Sequence, residues 1–158
     1  MRSLRTITRV TLVATILMTS ACNTTRGFNS ASTAVSAALA QMGAAANAHD
    51  VDKHVGFYAH DALTVLIFNG EQIIGWDSIR AKQAEWWNGG KTDVVYTVLA
   101  KPDVRAITPE LAITTLVMKS RRTAPSGDVK EGTLAVSSVW QKRPEGWRVI
   151  YSHESTSH

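Results

Sequence analysis

Val139-Trp140-Gln141-Lys142-Arg143-Pro144-Glu145-Gly146-Trp147-Arg148-Val149-Ile150-Tyr151-Ser152-His153-Glu154-Ser155 decides the fold. It reads as the close of one strand, a Pro-Glu-Gly turn, and a further strand mixing aromatic, β-branched and ionisable side chains. Such a strand is not stable alone, so the preceding chain must supply a sheet to join and helices to cover it.

Working back from that stretch, three more long strands are predicted: Asp93–Lys101, Leu111–Arg122 and Lys130–Arg143. They are separated by Thr108-Pro109-Glu110 and by Ala124-Pro125-Ser126-Gly127-Asp128, both rich in turn formers. Further upstream, Leu63–Phe68 runs into Asn69-Gly70 and then Glu71–Ile74. Asn-Gly between two apolar runs marks a tight hairpin, because both central residues tolerate positive φ.

Helical patterns come before and between these strands. Val35, Leu39, Met42 and Ala46 recur every three or four residues, predicting an amphipathic helix over Ala31–Asn47. Gly43 inside it lowers helix propensity by roughly 1 kcal/mol, which suggests close packing there. Asp50 caps a second short helix reaching Tyr58, and Asp77–Asn88 is a third, carrying Ile79, Trp86 and Trp87. Helices first and then a long meander is an α+β order, not the alternation of a parallel α/β fold.

Residues 1–21 read as a signal peptide. Met1–Arg9 carries three arginines and no acid, and Val10–Ala21 is an apolar run too short to span a bilayer, which takes ~20 residues. Thr19-Ser20-Ala21 precedes Cys22, the single cysteine. This arrangement resembles the bacterial lipoprotein signal, in which the cysteine is acylated, although Thr19 stands where that signal prefers Leu. The resemblance implies a protein lipid-anchored at Cys22 on the periplasmic side of a bacterial membrane. The alternative is ordinary cleavage into a secreted or soluble periplasmic form. Residues 22–30 then read as a polar tether, and 31–158 as the domain.

The formal net charge is +4. Arg2, Arg5 and Arg9 belong to the leader, so the domain itself is near neutral and nucleic acid is not an expected partner. There is no Gly-x-Ser-x-Gly elbow, no phosphate-binding glycine loop and no Cys-x-x-Cys, and no cofactor is expected. His49, Asp50, Asp52 and His54, like His153, Glu154 and His158, are dense in ligand atoms. Neither set has the one-face spacing of a helical zinc site, so no metal is expected.

Asn47-Ala48-His49-Asp50, Phe57-Tyr58-Ala59-His60-Asp61, Gly75-Trp76-Asp77-Ser78-Ile79-Arg80, Val139-Trp140 and Gly146-Trp147-Arg148-Val149-Ile150 occur in that order, with His153 and Ser155 beyond them. Together they resemble the nuclear-transport-factor-2-like superfamily, in particular its SnoaL-like members and the association domain of calcium/calmodulin-dependent kinase. The resemblance covers roughly residues 32–156. It implies a cone-shaped, curved antiparallel sheet wrapped around three N-terminal helices.

It also implies a pocket. In the kinase association domain, arginines line the cavity at positions matching Met118, Ser138 and Glu154. Here those arginines are absent, which leaves a mixed, mostly neutral cavity. Strand parity adds Thr114, Leu116, Trp140 and Ser152 as neighbours on that face. Trp86 and Trp87, which a helix points about 100° apart, are both pocket candidates, one packing toward the core and the other at the rim. The same parity puts Arg148, Ile150, Ser152 and Glu154 on one face of the last strand. Trp147, Val149, Tyr151 and His153 fall on the other, where an apolar row suggests a sheet-to-sheet homodimer.

Glu154 is the sharpest catalytic candidate, because an apolar cone disfavours its charged form and raises its pKa toward proton-transfer values. Tyr58 is placed to donate a hydrogen bond to a developing oxyanion, the role of a tyrosine in the superfamily's ketosteroid isomerases. Each also has a plain structural reading, as a solvated carboxylate and a core aromatic. Three functions fit: a cell-envelope protein binding a small, mostly apolar ligand; an isomerase, cyclase or dehydratase using Glu154 and Tyr58; and a homodimeric assembly domain without a ligand.

Overall fold

The computed structural model describes the backbone of residues 7–124 and 126–157, and the side chains of 26–124 and 126–157. The start of the leader, the Cys22 side chain, Pro125 and His158 lie outside the described residues.

Among the described residues three helices and seven strands follow the expected order, with one strand more than the sequence suggests. The order is α1 (Ile7–Asn47), α2 (Val51–Val55), β1 (Val65–Phe68), β2 (Glu71–Ile74), α3 (Trp76–Trp86), β3 (Val95–Val98), β4 (Asp103–Thr108), β5 (Leu111–Thr123), β6 (Val129–Arg143) and β7 (Gly146–Ser157). A single 3₁₀ turn, Asn88–Gly90, follows α3. α1 runs unbroken through residues 23–30, where a tether was expected. Among the described residues no helix is long and apolar enough to cross a membrane.

Local chemistry explains the joints. Asp50 caps α2 by accepting the Lys53 amide at 3.0 Å, satisfying one of the helix's orphan donors. Asn69 and Gly70 sit at φ 48° and 87°, the left-handed pair that a two-residue hairpin needs.

The sheet order is β2-β1-β7-β6-β5-β3, with β4 also on β5. It is antiparallel except at one place: β1 runs parallel to β7, pairing Val65 to Tyr151 through Phe68 to Glu154. Strand β4, unforeseen in the sequence, pairs Asp103 to Thr115 through Thr108 to Leu111.

The concave face holds the core: Trp140, Leu66, Val149, Val35, Val55 and Ile79 are all essentially fully buried. Gly43 departs from expectation. A Cβ built on it meets nothing within 4 Å, so no element packs close against it.

Candidate functional site

Strand β7 organises the site, and a bulge reorganises β7. Trp140 pairs with Val149 but Val139 with Tyr151, so Ile150 is the extra residue. A bulge of this kind resets the alternation of faces. Trp147 and Val149 therefore join Ser152 and Glu154 on the inner side and are buried. The expected outward Trp147–Val149–Tyr151 row does not exist. Beyond the bulge the expected parity holds: Tyr151 and His153 face outward, and Ser152 and Glu154 inward.

The segment after α2 is stitched to the first half of β7. The Val149 amide donates to Phe57 O and the Ala59 amide to Val149 O, each at 2.8 Å. That stitch sets Tyr58 against Glu154, with its hydroxyl 3.4 Å from Glu154 Oε1. Ser152 Oγ is equally distant from the same oxygen, and Ser138 Oγ lies 3.1 Å from Ser152 Oγ.

These groups line a cavity of about 880 Å³ bounded by α1, α2, α3 and the concave sheet. Of the residues predicted for a pocket, Tyr58, Trp86, Trp87, Leu116, Met118, Ser138, Ser152 and Glu154 all line it. Thr114 and Trp140 do not. They are fully buried beneath it and satisfy one another, Trp140 Nε1 donating to Thr114 Oγ1 at 3.0 Å. Both tryptophans of the Trp86-Trp87 pair line the cavity. Trp86 packs on Phe68 with ring centroids 4.5 Å apart and planes tilted by 44°, and Trp87 donates to the Tyr96 hydroxyl at 3.2 Å.

Burial pushes the Glu154 carboxyl up to about 7, against the two hydroxyls that favour its ionised form. Burial, and then the neighbouring carboxylate, raise Tyr58 well above its usual value, so it remains a hydrogen-bond donor.

Sequence reasoning weighed His54 only as a metal ligand and missed Gln83, and it placed neither in the pocket. Burial drives His54 down to about 4, leaving it neutral near pH 7, and its Nδ1 lies 3.2 Å from Met42 O. Gln83 is only 7% exposed, yet its amide has no hydrogen-bond partner among the described residues and lines the cavity. Ile79, Gln83 and Trp87 follow one another at intervals of four and are all buried. That stripe is the signal that could have revealed Gln83.

The cavity is also less neutral at its margin than expected, where Lys101, Arg122, Lys130 and Glu131 lie exposed. Among the described residues no group of three or more metal-ligating side chains converges. His49 lies 2.6 Å from Val94 O, and Asp52 accepts Arg80 at 2.7 Å. Asp61 accepts the Leu63 amide at 2.9 Å and Arg143 at 3.1 Å.

The calcium/calmodulin dependent protein kinase II association domain family matches residues 32–158. The chain belongs to this family. No curated protein shows significant similarity to it. Solved structures with the same fold include a nuclear transport factor 2-like superfamily protein from Salmonella enterica serovar Typhimurium. It is 19% identical with a TM-score of 0.70, covering 82% of this chain and 93% of that one. A nuclear transport factor 2-like protein of unknown function from Pseudomonas putida is 18% identical with a TM-score of 0.68, covering 80% and 87%. A ketosteroid isomerase-like protein from Erwinia carotovora atroseptica is 19% identical with a TM-score of 0.68, covering 83% and 99%. At these identities the likeness is one of fold. The association-domain chain thus carries the nuclear-transport-factor-2-like cone, a scaffold that hosts unrelated functions.

Proposed function

We propose that this association-domain chain binds a small, mostly apolar molecule inside its cone. It does so as an exported homodimer, held at the periplasmic side of a membrane through acylated Cys22. The cavity carries the ligand reading. Its volume of about 880 Å³ falls in the range of small-molecule sites, with aromatic and aliphatic walls and a few polar atoms. A domain serving assembly alone gains nothing from such unfilled volume, which forfeits packing attraction. Export and anchoring rest on the leader and on Cys22. Dimerisation rests on the family's description as an association domain and on the apolar outer face of the sheet.

Thermal unfolding against a broad panel of hydrophobic metabolites tests the ligand reading. A true ligand in hundredfold excess over its Kd raises Tm by roughly 5 °C or more. A panel without a single shift removes the reading. Cys22→Ser releases the protein from the membrane fraction if the anchor is a lipid on that sulfur.

One observation favours a second reading, an acid–base enzyme: a carboxyl near 7 beside a tyrosine hydroxyl. Such a carboxyl is poised to take and return a proton at neutral pH. Glu154→Gln then lowers turnover by about 10²–10⁴-fold while the protein stays folded. An unaffected rate rejects it.

A further inference from the structure

Three polar groups face the cavity without a partner among the described residues: the Gln83 amide, His54 Nε2 and Glu154 Oε2. Each has a defined hydrogen-bonding character. Met42 O can only accept, so His54 Nδ1 carries the proton and Nε2 offers a lone pair. Gln83 offers one acceptor and two donors from a side chain held 93% out of solvent on a buried helix stripe. A bound molecule can therefore meet this amide without displacing any partner among the described residues.

The charged groups tell the complementary half. No lysine or arginine lines the depth of the cavity. Lys101, Arg122 and Lys130 are all exposed at its margin, where they outnumber the one carboxylate, Glu131. An anionic head group carried inward meets a carboxyl, a neutral imidazole and aromatic rings. A cationic one must first pass the basic margin.

We propose that the cavity takes an uncharged molecule with an apolar ring-like body and at least one hydroxyl group. The hydroxyl donates to His54 Nε2, while the Gln83 amide bonds the ligand's oxygen functions. This rests on the ligand-binding reading above and adds the ligand's chemical class. Trp86, Trp87 and Phe68 supply flat surfaces for the rings.

Four probes with one shared body test it by calorimetry on the full chain, at about pH 6: naphthalene, naphthol, naphthoate and naphthylmethylamine. Naphthol is expected to bind about tenfold or more tighter than the other three. His54→Phe and Gln83→Leu should each erase most of naphthol's advantage over naphthalene. If naphthalene binds but naphthol binds no better, or if the carboxylate or ammonium probe binds best, the proposed class is wrong and the cavity still takes ligands. If none binds, both the class and the ligand reading fall. Should either variant fail to fold, the ranking of the four probes on the unmodified protein decides alone.

Discussion

Glu154 and His54 both have their charged forms disfavoured by the same cause, removal from water, and their effects on stability oppose. His54 has a folded pKa near 4, below its unfolded value, so the unfolded chain binds the extra proton as pH falls. Its contribution is complete above about 6.5 and is lost as pH falls toward 4. Glu154 has a folded pKa near 7, above its unfolded value, so the folded chain binds the extra proton. Its contribution is complete below about 4.5 and is lost as pH rises through 7. Each shift corresponds to on the order of 3 kcal/mol, and between about 4.5 and 6.5 they nearly cancel. Denaturant unfolding across that window should therefore be close to flat for the unmodified protein. Glu154→Gln leaves His54 alone, and stability should climb with pH. His54→Gln leaves Glu154 alone, and stability should decline with pH. Parallel slopes in the two variants would mean that neither residue is shielded as described. Asp50 and Asp93, whose carboxyls are held low by hydrogen bonds from Lys53 and Thr123, lose their contribution only at more acid pH.

At the scale of elements, Gly43 shows how a residue can be identified by pattern and misread by cause. It lies mid-helix in α1 and borders the cavity, with open space around its missing Cβ. Gly43→Ala should raise helix propensity without a clash and stabilise the protein by about 0.5–1 kcal/mol, read as a rise in the denaturant midpoint. A loss of stability would show that something does pack there. The same contrast runs through the fold. Asn69-Gly70 and the Asp50 cap were legible because their chemistry is local, fixed by positive φ and by one side-chain oxygen. Tyr58 and Glu154 were legible as partners only through the family resemblance. They are 96 residues apart and meet because Val149 bonds the chain beside Tyr58. Strand β4 was missed because Asp103-Val104-Arg105-Ala106 has little apolar content and follows a proline. The bulge at Ile150 was invisible because no glycine or proline marks it, and without it parity sends Trp147 and Val149 to the wrong face. Thr114 and Trp140 were placed on the correct face, but sequence cannot say how deep a residue on that face lies.

At the scale of the whole molecule, the outer face of the sheet is the surface that calls for a partner. Register aligns Val65, Tyr151, Val139 and Ile113 in one row across four strands. Ile113 and Tyr151 are 39% and 38% exposed, and Val117 lies four residues along β5 on the same face at 42%. Single exposed apolar residues are ordinary, but a row spanning a sheet is not. Lys119 and Glu131 pair at 2.7 Å beyond Val117, and Arg105, opposite Ile113 on β4, pairs with Asp103 at 2.7 Å, so ion pairs border the apolar row. Two copies packed face to face across such a row form an isologous contact, with each strand's apolar residues meeting those of the partner. Placing a like charge on both sides of that contact opposes association and leaves the interior untouched, since Val117 points away from the cavity. Val117→Lys should convert a dimer to a monomer in sedimentation velocity, with the far-ultraviolet spectrum unchanged. Ligand affinity should also persist in the monomer, because every cavity-lining residue named here comes from one chain. A protein that sediments as a monomer before any substitution would remove the dimer. A Val117→Lys monomer that loses its ligand would instead show that the second copy helps to hold the cone open.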